Sequence, residues 1–270
     1  GRDELWSTWT SLVVRILFFP MCSLRIAGVG GEILLRGLYT AAAGMMAQQQ
    51  RLDVVANNLA NAATPGYRAD VAVTAATPGL FIQRLHDALD NFSRRPVPVG
   101  FLGTGAAVSE VAMLERGGSL KETGNPHDFA LAGDGYFVVN TPRGVRYTRN
   151  GSFQVNALGE LTTSEGYQVL TRSGAPARAD DPNLVTDLAV AVEPRGAALT
   201  KEGNSLFASE QPLPLGEGTV LQGVLEEANV TAVEAMVELI SAMRAYEAGQ
   251  KAIQTQDQTL DKLLNEVAKI

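Results

Sequence analysis

The sequence predicts an α+β fold: long terminal α-helices that pair as a coiled coil, with a central, mostly antiparallel β domain. Two stretches of seven-residue apolar spacing, one near each end of the 270-residue chain, are typical of long amphipathic helices. Between them, turn-forming residues separate short runs of β-branched and aromatic residues. The predicted segments are a non-native upstream extension (1–33), an N-terminal coiled-coil helix (34–65), a connector that starts the β region (66–127), a central β domain (128–222) and a C-terminal coiled-coil helix (223–270).

Residues 1–33 differ in composition from the rest of the chain, because both tryptophans and the only cysteine fall there. The apolar run Leu12–Met21 is shorter than the about 20 residues that a membrane-spanning helix needs. Acidic residues precede it where a secretory signal is basic. The codons that Gly30-Gly31-Glu32 allow include a bacterial ribosome-binding sequence. We therefore expect translation to begin at Leu34 or Leu35, which predicts that the preceding segment is not part of the native protein.

The first helix follows from an apolar row at heptad spacing. Its members are Leu38, Met45, Leu52 and Leu59, with Ala41 and Val55 at interleaved positions. Good helix formers lie between them, and no proline interrupts the pattern. We expect the helix to end at Thr64-Pro65-Gly66, because the residue before proline avoids the α region and glycine favours a turn.

The last helix carries a second heptad row behind a predicted capping box, Thr231 and Glu234. The row consists of Leu239, Tyr246, Ile253, Leu260 and Val267. A helix from Thr231 to Ala268 would be about 55 Å long. The pattern alone leaves two interpretations: the two helices pair with each other and with neighbouring copies, or they form an ordinary layer over a β core.

Three asparagines lie beside the first row, at Asn57, Asn58 and Asn61. Their amides could hydrogen-bond across a packed helical interface and determine its register. A helix that is about to end is also rich in asparagine. The pattern does not choose between these two roles.

The middle of the chain changes from weak patterning to β signals. In the connector, Arg94 to Pro98 is typical of extended chain, and we expect no nucleotide site at Gly100, Gly103 and Gly105, whose spacing is the reverse of the dinucleotide fingerprint. From Asp128 onward, turns recur about every 8–12 residues, which indicates a small antiparallel sheet or barrel. The Asn150-Gly151 dipeptide predicts a hairpin between the strands on either side of it.

Composition and motifs argue against several functions. Net charge is −7, from 22 basic and 29 acidic residues, so a general nucleic-acid binder is not expected. One cysteine cannot form a disulfide framework, and two histidines, His86 and His127, do not indicate a metal site. We interpret His127-Asp128, Asp134 and Asp180-Asp181 as structural, because no catalytic or ligand spacing accompanies them. No catalytic residue, cofactor or metal is predicted.

The chain resembles the bacterial flagellar basal-body rod and hook proteins, and most closely a rod subunit. The amino-terminal resemblance lies in Arg36 to Met45, Asn57-Asn58-Leu59-Ala60-Asn61 and Thr64-Pro65-Gly66-Tyr67. The central resemblance lies in Leu131 to Phe137 and Tyr147 to Phe153, and the carboxy-terminal one in Ala228-Asn229-Val230, Arg244 to Ala248 and Ile253-Gln254-Thr255. These segments occur in the family's order and cover most of residues 35–270.

The resemblance implies a structural subunit of the rod, the drive shaft that transmits torque across the cell envelope. It implies self-assembly through the terminal helices, contacts with other rod and hook proteins, and export through the flagellar type III apparatus to the basal body outside the cytoplasmic membrane. Neither nucleic-acid binding nor stable membrane insertion is implied. Inter-subunit packing is then expected at Asn57, Asn58, Leu59 and Asn61 and at the Tyr246 and Ile253 face.

Three alternatives stay open at this point. A hook-type axial protein is less expected, because the region after Leu170 is short for a hook subunit. A secreted adhesive or binding module on a coiled-coil stalk would share the heptads. A peptidoglycan hydrolase is the least expected, because no catalytic constellation is present.

Overall fold

Two long helices lie at the ends of the described chain, with β structure between them. The computed structural model describes residues 29–84, 97–192, 199–203, 205–209, 211–216 and 218–267. Helix α1 spans Val29–Ala60, the short helix α2 spans Leu184–Asp187, and α3 spans Ala232–Val267. The strand pairs are antiparallel, so the α+β class with a mostly antiparallel sheet is confirmed. Of the predicted upstream extension, residues 1–28 lie outside the described residues.

Helices α1 and α3 pack side by side and run antiparallel, and we call this pair the stalk. Met45 faces Gly249, where an added Cβ atom would lie 2.7 Å from Met45 Cγ, and Gly37 faces Gln256 in the same way at 2.5 Å. Residue numbers therefore rise along one helix as they fall along the other. At 1.5 Å per residue the two helices are about 48 and 54 Å long.

Helix α1 ends at Ala60, earlier than the predicted end at Thr64 to Gly66. The Asn61 N–H still makes the helical i−4 bond, to the Asn57 carbonyl at 3.1 Å. The next residues bond at i−3 instead: Ala62 N–H donates to the Leu59 carbonyl at 3.2 Å, and Thr64 N–H donates to the Asn61 carbonyl at 3.0 Å. The chain therefore changes from the α-helical to a tighter hydrogen-bonding pattern before it reaches Pro65. Helix α3 begins next to Thr231, whose hydroxyl bonds the Glu234 carboxylate.

The predicted connector contains two successive antiparallel strand pairs, which we call the ribbon. Strands β1 (Asp70–Ala76) and β4 (Ala106–Met113) pair, and β2 (Leu80–Arg84) pairs with β3 (Val97–Leu102). The ribbon lies along α1, where an added Cβ atom at Gly105 would lie 2.9 Å from Ala43 Cβ. Helix α1 is therefore packed between the ribbon and α3.

The β domain is built on an eight-stranded sheet. Its order is β13-β14-β8-β7-β11-β10-β9, with β12 also beside β7, and two further pairs, β15-β6 and β16-β5, adjoin it. The strands are β5 (Leu120–Glu122), β6 (Phe129–Ala132), β7 (Tyr136–Thr141), β8 (Gly144–Thr148), β9 (Gln154–Val155), β10 (Leu161–Thr162), β11 (Gln168–Val169), β12 (Val190–Ala191), β13 (Thr200–Glu202), β14 (Leu206–Ala208), β15 (Thr219–Gln222) and β16 (Val224–Glu226). Its core is apolar and includes the fully buried Phe129, Phe137, Val139 and Leu161.

The predicted hairpin at Asn150-Gly151 is wrong. Strand β8 pairs with β7 and β14, whereas β9 pairs with β10. Gly151 instead passes against β6: its carbonyl accepts the Phe129 N–H at 3.0 Å, and an added Cβ would overlap the Phe129 carbonyl. The dipeptide therefore carries the chain from one pair of strands to another, and the hairpin turn lies at Pro142-Arg143.

Candidate assembly surface and stalk joint

The predicted heptad rows lie in the seam between the two stalk helices. Half-buried positions are Leu38, Met45, Leu52 and Leu59 on α1 and Leu239, Tyr246, Ile253 and Leu260 on α3. The buried apolar positions among the described side chains of the stalk helices are small or β-branched: Ala47, Val55, Ala235 and Ala242. Val267 ends α3, and its side chain lies outside the described residues. The rows thus contribute first to packing within one chain.

Two of the three asparagines are buried by their own chain. The Asn58 amide donates to the Asp70 carbonyl at 2.7 Å, and its oxygen accepts from Asp70 N–H at 2.9 Å and from the Tyr67 hydroxyl at 3.0 Å. Asn61 is 6% exposed and bonds back to Asn57. These contacts favour the helix-end role over the predicted inter-subunit role for Asn58 and Asn61, because their polar atoms already have partners.

Helix α3 exposes an apolar face that is not part of the predicted heptad row, and we call it the α3 stripe. It consists of Val233, Met236, Val237, Ile240 and Met243, which are 46–73% exposed. Their spacing of three and four residues places them on one side of the helix, away from the seam residues Leu239 and Ala242. The signal was present in the sequence as a second, overlapping periodicity beside the heptad row.

The stalk meets the β domain at a set of buried charges, which we call the joint. Arg149, Glu226 and Arg68 are 5%, 3% and 5% exposed. The Arg149 guanidinium binds the Glu226 carboxylate and donates to the carbonyls of Leu131, Gly133 and Gly135 at the β6–β7 turn. Arg149 therefore anchors the β domain to the strand that leads into α3.

Arg68 approaches the same carboxylate from the other side. It lies between α1 and the ribbon, with its Nη2 3.6 Å from Glu226 Oε1, and it also donates to the Glu115 carbonyl. Among the described residues its Nε has no hydrogen-bond partner. Gly66 lies in the same segment: it donates to the Glu226 carbonyl at 2.8 Å and has φ +68°.

A lysine of the β domain also contacts the segment that contains Arg68. Lys201, on β13, donates at 2.9 Å both to the Arg68 carbonyl and to the Asp70 carboxylate, and its Nζ lies 4.0 Å from the centroid of the Tyr67 ring. Burial, with a smaller contribution from the Asp70 charge, raises the pKa of Tyr67 to about 12. The phenol stays protonated and donates to Asn58 at neutral pH.

No arrangement in the described part of the chain indicates catalysis or metal binding. Asp128 accepts from the Thr123 hydroxyl at 2.7 Å and from the Asn125 amide at 3.1 Å, which is a turn contact. The described residues contain no group of three or more His, Cys, Asp or Glu side chains placed to bind a metal, and His86 lies outside them. No helix in those residues is long and apolar enough to span a membrane.

Comparison with known proteins places these features in a family. Residues 38–68 match the family model "flagella basal body rod protein", residues 130–233 match "flagellar hook protein FlgE/F/G D1 domain", and residues 221–266 match "flagellar basal body rod FlgEFG protein C-terminal". The chain is 35% identical over 254 residues to the flagellar basal-body rod protein FlgG of Agrobacterium fabrum, covering 83% of this chain and 96% of that protein.

Two further relatives cover almost their full lengths. Identity is 32% over 274 residues with the flagellar hook-basal body complex protein FlhO of Bacillus subtilis, covering 88% of this chain and 100% of that protein. It is 31% over 260 residues with FlgG of Buchnera aphidicola from Acyrthosiphon pisum, covering 85% and 99%. The similarity therefore includes both stalk helices and the β domain.

Proposed function

The chain belongs to the flagellar basal-body rod protein family, and from this premise we propose that it polymerises through its stalk to form a torque-transmitting shaft. Family membership makes it a structural subunit of the basal-body rod, part of the bacterial flagellum, and not an enzyme. Rod proteins assemble with other flagellar components. The α3 stripe is the observation that carries the proposal of assembly through the stalk.

The α3 stripe exposes more contiguous apolar surface than is expected of a chain that stays monomeric. Val233 is 73% exposed and Val237 63%, and the five members lie together along one face of α3. Contiguous apolar patches on a protein surface mark sites of association. We propose that neighbouring subunits cover this face, while the heptad rows hold α1 and α3 together as a two-stranded coiled coil.

The half-buried seam residues also have a part in this proposal. Leu38, Met45, Tyr246 and Ile253 keep part of their surface exposed at the edge of the helix pair. Neighbouring stalks packed around the same axis would cover those edges as well as the stripe. Stalks in close contact would then carry torque through many small apolar contacts.

Substitution of Val237 by asparagine tests the proposed surface. Burying the exposed part of this side chain contributes about 1 kcal/mol per contact, so Val237→Asn is expected to weaken each contact about five-fold. In a strain without the native gene, the variant should be depleted from purified basal bodies, as measured by mass spectrometry, and swimming should decline. Urea unfolding of the isolated chain should be nearly unchanged.

Two variants on the same helix serve as controls. Ala245→Asn lies on another side of the helix, is also exposed and changes helix propensity at least as much, so it should be incorporated normally. Leu239→Asn lies in the seam and should lower the stability of the isolated chain. Normal incorporation of Val237→Asn would contradict assembly through the α3 stripe.

We also propose that the chain is exported by the flagellar type III apparatus, with family membership as the support. Export is tested by assaying culture supernatants of strains that assemble no outer rod, with and without a functional apparatus. Secretion that persists without the apparatus would contradict this route.

A further inference from the structure

The joint contains more buried positive charge than its carboxylate neutralises. Arg68 and Arg149 share the single carboxylate of Glu226, and all three residues are at least 95% buried. Arg149 satisfies its other donors at the carbonyls of the β6–β7 turn. Arg68 reaches Glu226 only at 3.6 Å, and its Nε is unpaired among the described residues.

Such an arrangement is poor for stability. Burying a guanidinium costs desolvation free energy that a long ion pair with an unsatisfied donor does not recover. A methionine, similar in volume although shorter, would remove that cost, because Glu226 would keep its close partner Arg149. Stabilisation of the chain therefore does not explain why an arginine is buried at this position.

The position of Arg68 supports a geometric role. It lies in the segment that leaves α1 and enters the ribbon, whereas Glu226 ends β16 just before α3 and Arg149 belongs to the β domain. Its side chain thus connects the α1 side of the stalk to the α3 side and to the β domain. The Glu115 carbonyl, which follows β4, is its second acceptor.

We infer that Arg68 is a positioning residue that holds the stalk at one angle to the β domain without adding to the stability of the chain. This inference rests on the proposed function in one respect only: in a shaft, a fixed angle would let torque on the β domain reach the stalk. Lys201, which donates hydrogen bonds to the Asp70 carboxylate and the Arg68 carbonyl, is the second restraint on the segment that contains Arg68.

A distance measurement on the full chain tests the inference. Spin labels are attached to Ala248→Cys on the stalk and Ser164→Cys on the β domain, both exposed sites, in a Cys22→Ser background. The parent should give one narrow distance distribution by pulsed electron paramagnetic resonance. Arg68→Met should lose that narrow distribution while its urea midpoint stays equal or rises.

A matched control lies close by. Arg146 also pairs with a glutamate, Glu202 at 3.0 Å, but within the sheet of the β domain. Arg146→Met should keep the narrow distribution. Lys201→Met, which removes the second restraint, should broaden it without affecting the Arg68–Glu226 contact.

The outcomes separate this inference from the proposed function. A narrow distribution in Arg68→Met, or a broad one accompanied by a lower urea midpoint, would overturn the positioning role. Both measurements use the isolated chain, so they do not depend on assembly. Failure of assembly through the α3 stripe would instead appear as normal basal-body incorporation of Val237→Asn.

Discussion

Replacement of Gly66 by alanine is expected to lower the free energy of unfolding by more than the conformational cost of placing alanine in the left-handed region. Gly66 has φ +68°, in the left-handed region that side chains disfavour. An added Cβ atom would also lie 2.5 Å from the backbone C and O of Arg149 and 2.6 Å from Asn150 N. These are backbone atoms, so the contact can be relieved only by moving backbone, either of the Gly66 segment or of the segment that carries Arg149 and Asn150.

The magnitude combines two separable costs. Placing alanine in the left-handed region costs about 1–2 kcal/mol. Forcing extra volume into a packed site typically costs a further 1–3 kcal/mol, roughly. The free energy of unfolding of Gly66→Ala should therefore fall by about 2–5 kcal/mol, since both costs act at one residue.

Two other glycines isolate these costs in urea unfolding experiments. Gly166 has φ +88° but no atom within 4 Å of an added Cβ, so Gly166→Ala should show only the conformational cost of about 1–2 kcal/mol. Gly44 lies within α1 with open space around it, so Gly44→Ala should raise stability by up to about 1 kcal/mol. If Gly66→Ala costs no more than Gly166→Ala, the close approach at the joint is refuted.

Two further predictions concern the end of α1. Because the folded-state pKa of Tyr67 is raised to about 12 from 10.0, its contribution to stability is complete below pH 10 and is lost as pH rises through 12. Urea unfolding at stepped alkaline pH, with tyrosinate absorbance followed in parallel, should show this loss, and Tyr67→Phe should remove it; a pH dependence that survives the substitution would assign it elsewhere. Asn58→Ala should lower the free energy of unfolding by about 2–3 kcal/mol, because buried polar groups of Asp70 and Tyr67 lose a partner. The exposed Asn183, which makes no side-chain cap bond, is the control: equal effects of Asn58→Ala and Asn183→Ala would refute the helix-end role.

Both predicted heptad rows lie within long helices, because a heptad row depends only on local geometry. Leu38, Met45 and Leu52 recur at a spacing that α-helical geometry alone dictates. The end of α1 was placed too late, at Thr64 to Gly66, because the backbone leaves the i−4 hydrogen-bonding pattern after Asn61, before proline acts. Proline marks only the latest possible end of a helix, so the earlier change in hydrogen bonding is not visible in the residue pattern.

Strand pairing was predicted less well, because it depends on residues distant in sequence. Asn150-Gly151 has the composition of a hairpin turn, yet the contact of Gly151 with Phe129 takes the chain elsewhere. The ribbon was missed because two of its apolar residues, Val71 and Phe101, are exposed, so the hydrophobic alternation that marks a half-buried strand is weak.

The sequence by itself determined the presence of two long terminal helices, the β character of the middle and the family, since each of these is encoded in local spacing or in recognisable segments. Only the tertiary structure decided which apolar residues face the seam and which form the α3 stripe, because both sets share one helix. It alone brought Arg68, Arg149 and Glu226 together, from segments up to 158 positions apart in the sequence. Buried charges are paired by the fold of the whole chain, and no local pattern records such a pairing.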